Sequence, residues 1–245
     1  MTGAPAVRAR DGARVFAVSA IAFDLDGTLL DTVHDLAAAV NALLAERGFA
    51  PLPKPAIRDM IGKGMPTLVR RALARASGRM PDAFSDGELA AALVRYQAHY
   101  AACLGRETRS FPGLAAALGR LAAMGFPLAV VTNKASRFVQ PHLERAGIAH
   151  RFAVVVGGDD LPAKKPDPAQ LLHVAAALGV PPRRLLMVGD SANDARAARA
   201  AGCPVLLLPY GYNEGRPVQD VDADGIVDSL AAVADRVRYV APGSP

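Results

Sequence analysis

A chain of 245 residues, 51% hydrophobic and 21% charged, is long enough to bury one large core or a core with a smaller insert. A formal net charge of +5, with no Lys/Arg run interleaved with aromatic residues, excludes an obvious nucleic-acid surface, and no apolar run approaches the length that crosses a bilayer. Cys103 and Cys203 lack metal-ligand spacing and cannot build a disulfide framework, so reduced thiols in a cytoplasmic protein are expected.

Residues 1–14, rich in Gly, Ala, Pro and Arg, read as a flexible tail. Arg8, Arg10 and Arg14 ahead of the apolar 15–23 loosely imitate a secretion signal. Cleavage after Ala17-Val18-Ser19 would trim the strand behind it, and that reading is set aside. The apolar Ala20–Phe23 has no polar alternation, as in a parallel strand covered on both faces. It ends abruptly in Asp24-Leu25-Asp26-Gly27-Thr28. Beyond Asp31 or Thr32, either able to cap a helix, Val33, Leu36, Val40, Leu43 and Leu44 recur at helical spacing as far as Gly48. A stiff Pro51-Leu52-Pro53-Lys54-Pro55 connector follows. Helices are expected over 56–61, 66–76 and 86–104, broken at Gly62-Lys63-Gly64 and at 78–82. Residues 32–106 contain no convincing strand and read as a small all-α cap domain inserted after the first strand.

From Phe111 strand and helix alternate. The spacing predicts a helix over 112–124, a strand over 128–131, and a helix over 135–146 kinked or restarted at Pro141. Next come a strand over 153–156 and a helix opened by Asp167 as N-cap, Pro168 at the first position and Gln170 at the third. A strand over 185–188, a helix over 192–201 and a last clear strand over 205–208 complete the pattern. This alternation implies an α/β fold, a Rossmann-like parallel sheet with helices on both faces, assembled from 15–31 and 107–245.

The residues just past each strand are Asp24 and Asp26, Thr132 and Asn133, Lys165 beyond a loop, and Asp190. Carboxyl ends of parallel strands share one rim, which brings these groups toward one crevice. Two carboxylates one residue apart need a cation or a shared proton. Carboxylates, a hydroxyl and an ammonium together suit phosphoryl transfer, in which catalysis is charge neutralisation and in-line positioning.

Asp24-Leu25-Asp26-Gly27-Thr28-Leu29, Val131-Thr132-Asn133-Lys134, Lys165-Pro166-Asp167-Pro168 and Gly189-Asp190-Ser191-Ala192-Asn193-Asp194 resemble, in order, the four signatures of the haloacid dehalogenase superfamily. Gly157-Gly158-Asp159-Asp160, Lys164-Lys165-Pro166 and Tyr210-Gly211-Tyr212-Asn213 are similar to details of the bacterial phosphoglycolate phosphatases within it. The resemblance implies a hydrolase acting on a small phosphorylated metabolite, 2-phosphoglycolate first, through an aspartyl phosphate on Asp24. It implies Asp26 as acid and base, and Mg²⁺ held by Asp24, the Asp26 carbonyl and Asp190. Thr132, Asn133 and Lys165 would hold the phosphoryl group, and Asp194 would orient Lys165 or a metal-bound water. Asp26 argues against a dehalogenase, because expelling halide needs no proton.

Competing readings accompany several of these residues. Asp194 doubles as the partner of a Ser191 cap, Asp159 and Asp160 read as loop-structuring, and Lys63 is either a solvated loop lysine or a cap residue reaching substrate. Other substrates in the same superfamily are N-acetylmuramate 6-phosphate, another sugar phosphate or pyrophosphate, with phosphonoacetaldehyde hydrolase or phosphomutase chemistry as further options. A phospho-aspartate signalling module is the alternative of a different class, for which the helical insert has no role.

Overall fold

The computed structural model describes residues 7–8 and 14–243. Most of the expected tail therefore lies outside the described residues; within it, β1 (Val7–Arg8) runs antiparallel to β2 (Arg14–Val18). The chain continues through β3 (Ala20–Phe23) and β4 (Leu30–Asp31) into helices α1 (Val33–Glu46), α2 (Lys54–Arg58), α3 (Met65–Ser77) and α4 (Asp86–Cys103). It returns through β5 (Arg109–Ser110), α5 (Leu114–Ala123), β6 (Leu128–Val131), α6 (Ser136–Arg145) and β7 (Val154–Val156). Then follow α7 (Ala169–Ala177), β8 (Leu185–Gly189), α8 (Ala192–Ala201), β9 (Val205–Leu207), β10 (Gly225–Ile226), α9 (Leu230–Asp235) and β11 (Val237–Tyr239).

The main sheet is parallel throughout, in the order β10-β9-β8-β3-β6-β7. Strand geometry alternates its side chains between two buried layers. Ile21, Phe23, Val130 and Val188 face Leu114, Leu118 and Leu121 of α5 and Val139 and Leu143 of α6. Ala20, Ala22 and Ala129 face α7 and the alanines of α8, Ala195, Ala197, Ala198 and Ala201. The alanine bias of the sequence thus has a place. Small residues on both sides of the second layer let α8 lie close to the sheet.

From β3 the chain steps to β6 and β7 on one side, then crosses to β8, β9 and β10 on the other. The order reverses between β3 and β8, where open α/β sheets leave a crevice outside the strand ends. Phe23 is in register with both Val130 and Val188, so Asp24, Val131 and Gly189 leave the sheet at one level.

The insert has an apolar core of its own, formed by Val40, Leu43 and Leu44 of α1, Ile57, Leu73, Tyr96 and Tyr100, with Phe138 and Tyr212 of the sheet layer packed against it. Its entry and exit strands, β4 and β5, pair antiparallel, Leu30 with Ser110 and Asp31 with Arg109. Buried Asp35 on α1 clamps the exit: its carboxylate accepts from the N–H of Gly105 at 2.7 Å, the N–H of Glu107 at 2.9 Å and the Thr108 hydroxyl at 2.7 Å.

Several local expectations are corrected. α2 starts and ends earlier than 56–61, because Pro55 fits its first turn, where no N–H is needed. Neither Asp31 nor Thr32 caps α1; the Val33 N–H donates instead to the Tyr212 hydroxyl at 3.1 Å. Pro141 sits inside an unbroken α6. Asp167 accepts from the Ala169 N–H, but Gln170 does not reach back to it. The buried Gln170 amide donates to the carbonyls of Thr132 and Gly157 and accepts from the Lys165 N–H, joining three loops of the rim. Strands β10 and β11 and helix α9 follow the last expected strand. No helix among the described residues is long and apolar enough to cross a membrane.

Candidate active site

The rim of the sheet gathers Asp24, Asp190 and Asp194, which place one carboxylate oxygen each within 4.8 Å of one another. Asp190 follows β8 and is buried. The Thr28 hydroxyl donates to its Oδ1 at 2.8 Å and the Tyr212 N–H donates to its Oδ2. Burial, with Asp194 and Asp24 alongside, pushes the Asp190 carboxyl well above the usual carboxylate range. Two glycines make room for it. A Cβ at Gly27 would stand 2.3 Å from Asp190 Oδ2 and one at Gly211 would stand 2.1 Å from the same atom. Gly27 also has a φ of 90°, a backbone conformation that favours glycine.

Lys165 is the counter-charge of this cluster. Its ammonium donates to Asp194 Oδ1 at 2.6 Å and to the Val131 carbonyl at 2.8 Å, and lies 3.0 Å from Asp24 Oδ1. Burial alone would favour the neutral amine, but Asp194 and Asp24 outweigh it and raise Lys165 to about 12. Asp194 performs both roles weighed for it. Oδ1 binds Lys165, while Oδ2 accepts from the Ser191 N–H and hydroxyl and from the Asp190 N–H, closing the capping box of α8. Asp24 Oδ1 also accepts from the Leu25 N–H at 2.7 Å. Its carboxyl rises to about 6, first through burial and then through Asp194 and Asp26, with Lys165 opposing.

Asp26 lies on the other side of Asp24 and has a partner of its own. Lys134 donates to its two oxygens at 3.0 and 3.3 Å and to the Tyr100 hydroxyl at 2.5 Å. Burial raises the Asp26 carboxyl, but Lys134, with His142 behind it, outweighs burial and holds Asp26 below the usual range. His142 donates to or accepts from Thr108 at 2.9 Å; burial, with Lys134 nearby, depresses it to about 4.

Asp24 and Asp26 open onto a cleft of about 40 Å³, lined on the sheet side also by Thr132, Asn133 and Lys134. The insert closes it with Leu36, Ile61, Met65, Leu68 and the backbone of Gly62 and Gly64. The Asn133 amide holds the two sides together, donating to the carbonyls of Gly62 and Lys165. Lys63 does not line the cleft. Its side chain is 39% exposed and its ammonium pairs at 3.3 Å with Glu214, which also binds Arg71 at 2.8 Å. Asp159 and Asp160 structure their loop, accepting from Ser136 and from the Gly157 N–H.

The model of the haloacid dehalogenase-like hydrolase family matches residues 18–202. The chain belongs to that family. The phosphoglycolate phosphatase of Nitrosospira multiformis is 49% identical to this haloacid dehalogenase-like hydrolase over 213 residues, covering 87% of this chain and 92% of that protein. That of Thiobacillus denitrificans is 46% identical over 219 residues, covering 89% and 94%. The crystal structure of a predicted phosphoglycolate phosphatase from Haemophilus somnus 129pt superposes with a TM-score of 0.83 at 35% identity, covering 88% of this chain and 96% of that one.

Sequence reasoning gave this hydrolase no role for Lys134 or Tyr100. Lys134 had only its position beside Thr132 and Asn133 as a signal, and Tyr100 only its helical spacing with Tyr96. The donor set around Asp24 fits a hard divalent cation: buried carboxylates crowd together, two of them with raised proton affinity, and Lys165 is the single ammonium among them.

Proposed function

We propose that this hydrolase is a Mg²⁺-dependent phosphomonoesterase working through an aspartyl phosphate, with 2-phosphoglycolate as substrate and the helical insert as its cap. The observation that carries the reading is the setting of Asp24. Its Oδ1 is held by Lys165 and the Leu25 N–H, Asp190 and Asp194 crowd beside it, and Asp24 and Asp26 share one cleft. The names of the relatives support the choice of substrate.

Asp24 would attack phosphorus as the ester P–O bond breaks, giving an aspartyl phosphate and an alkoxide that takes the proton of Asp26. The dianionic ester adds negative charge beside Asp26 and so favours its protonation at that moment. Asp26, now ionised, removes a proton from the water that attacks the aspartyl phosphate, which restores the Asp24 carboxylate and releases phosphate. Lys165, the Thr132 hydroxyl and the Asn133 N–H would hold phosphoryl oxygens, with Asp194 keeping Lys165 aimed. Mg²⁺, when held by Asp24, the Asp26 carbonyl and Asp190, supplies neutralisation of the phosphoryl charge. The insert, shut over the cleft, keeps bulk water from the aspartyl phosphate.

Release of inorganic phosphate from 2-phosphoglycolate is the test. Steady turnover, lost in Asp24→Asn and on chelation and recovered with Mg²⁺, is expected. Turnover that survives Asp24→Asn would overturn the mechanism. A faster rate on N-acetylmuramate 6-phosphate or a sugar phosphate would replace the substrate and keep the chemistry.

A further inference from the structure

Two buried ammonium groups serve the site, and they bind different carboxylates. Lys165 is bound to Asp24 and Asp194, on the side of the acidic cluster. Lys134 is bound to Asp26, with its side chain only 1% exposed. Lys134 is also the one cation among the described residues that line the cleft.

An ester attacked by Asp24 must direct its bridging oxygen at Asp26 if Asp26 is to protonate it. The carbon beyond that oxygen then lies next to Lys134. The opposite wall, formed by Leu36, Ile61, Met65 and Leu68, offers an anion no side-chain donor. An ammonium has three N–H donors. One is shared between the two Asp26 oxygens and one goes to the Tyr100 hydroxyl, which leaves a third for a ligand. The cleft is small, about 40 Å³, which favours a short leaving group.

We propose that Lys134 is the specificity-determining residue, receiving a carboxylate carried by the leaving group one carbon beyond the ester-bearing carbon. The substrate class is then a short phosphorylated 2-hydroxy acid, selected over a neutral alcohol of the same size by a single buried charge. Tyr100, reaching from α4 to the same ammonium, makes that selection depend on the insert being closed. This deepens the function proposed above and rests on it.

The test compares 2-phosphoglycolate with 2-hydroxyethyl phosphate, which replaces the carboxylate by a neutral hydroxymethyl group. The wild type is expected to favour the acid by about 100-fold or more in kcat/KM, since a buried site built to bind a polar group rejects an analogue lacking it. In Lys134→Met the preference should fall to within about threefold, mainly through KM for the acid, and Lys134→Arg should restore part of it. Titrating both esters into Asp24→Asn and into Asp24→Asn/Lys134→Met reads the same preference as affinity, without requiring turnover. Equal losses for both esters, with the ratio kept, would show that Lys134 serves Asp26 alone and would overturn the proposal. A wild type that hydrolyses both esters without preference would overturn it too while leaving the phosphatase reading intact. Failure to hydrolyse either ester while another phosphate ester is turned over would overturn this proposal and keep the phosphatase chemistry, and turnover of no ester would remove both.

Discussion

The sheet rim and the helical insert meet at one cleft but are fixed by different means. On the rim, Asp24, Lys165, Asp190 and Asp194 each have two or more protein partners, and Gly27 and Gly211 make room for Asp190. The insert presents an apolar wall and two glycines, and polar ties join it to the sheet layer, among them the Asn133 and Asn193 amides on the Gly62 carbonyl and the Val33 N–H on the Tyr212 hydroxyl. Arg58 donates to the carbonyls of Tyr210 and Gly211, Lys63 and Arg71 pair with Glu214, and Tyr100 meets Lys134. The rim carboxylates are thus held by partners on the sheet, whereas the insert meets the sheet through its apolar core, with Phe138 and Tyr212, and through these ties. On the proposed function, the chemistry and the selecting charge of Lys134 both belong to the first region, and the second supplies the apolar wall and the Tyr100 contact that close over them.

The sharpest way to break this division is at the rim. Asp24→Asn should lower phosphate release by more than about 10⁴-fold, as loss of a nucleophile does, without loss of thermal stability. Lys165→Met leaves Asp24 and Asp194 without their counter-charge and should cost roughly 3–5 kcal/mol in the metal-free protein. Thermal unfolding would show it, and added Mg²⁺ should recover more stability in this variant than in the wild type. Gly211→Ala forces Asp190 aside and should raise the Mg²⁺ concentration for half-maximal activity about 10–100-fold.

Two smaller effects probe the seam with the insert. His142, held near pH 4 against an ordinary 6.5, stays neutral in the folded protein while the unfolded chain takes up a proton. Its contribution is complete above about 6.5 and is lost as pH falls toward 4, with a maximum of about 3 kcal/mol. His142→Gln should flatten urea midpoints measured across that window. Arg58→Ala removes one tie of the insert and should raise KM about threefold, with kcat nearly unchanged.

How much of this was legible in the sequence depends on the range of the interaction. Asp24, Thr132 and Asp190 stand directly after short apolar strands, so local pattern and the parallel-sheet rule together put them on one rim. Gln170 was misread because a local capping rule competed with loop carbonyls that only the folded chain brings near. Lys134 gave only its place beside Thr132 and Asn133 as a signal, since its contact with Tyr100 joins residues 34 apart in the chain. Lys63 failed for the opposite reason. The glycines around it marked a close approach, but their backbone makes that approach while its side chain turns to Glu214. β10 and β11, two and three residues long, are too short for periodicity to register.

The paired strands β4 and β5, stapled by Asp35, pass the whole insert through a single neck. A module attached this way can be exchanged as a cassette, because both of its covalent ends leave the scaffold side by side. Grafting another helical lid between Asp31 and Arg109 would then change the wall above the cleft while the strand-end carboxylates stay on the scaffold, provided that the Asp35 staple and the Tyr100 contact to Lys134 are rebuilt.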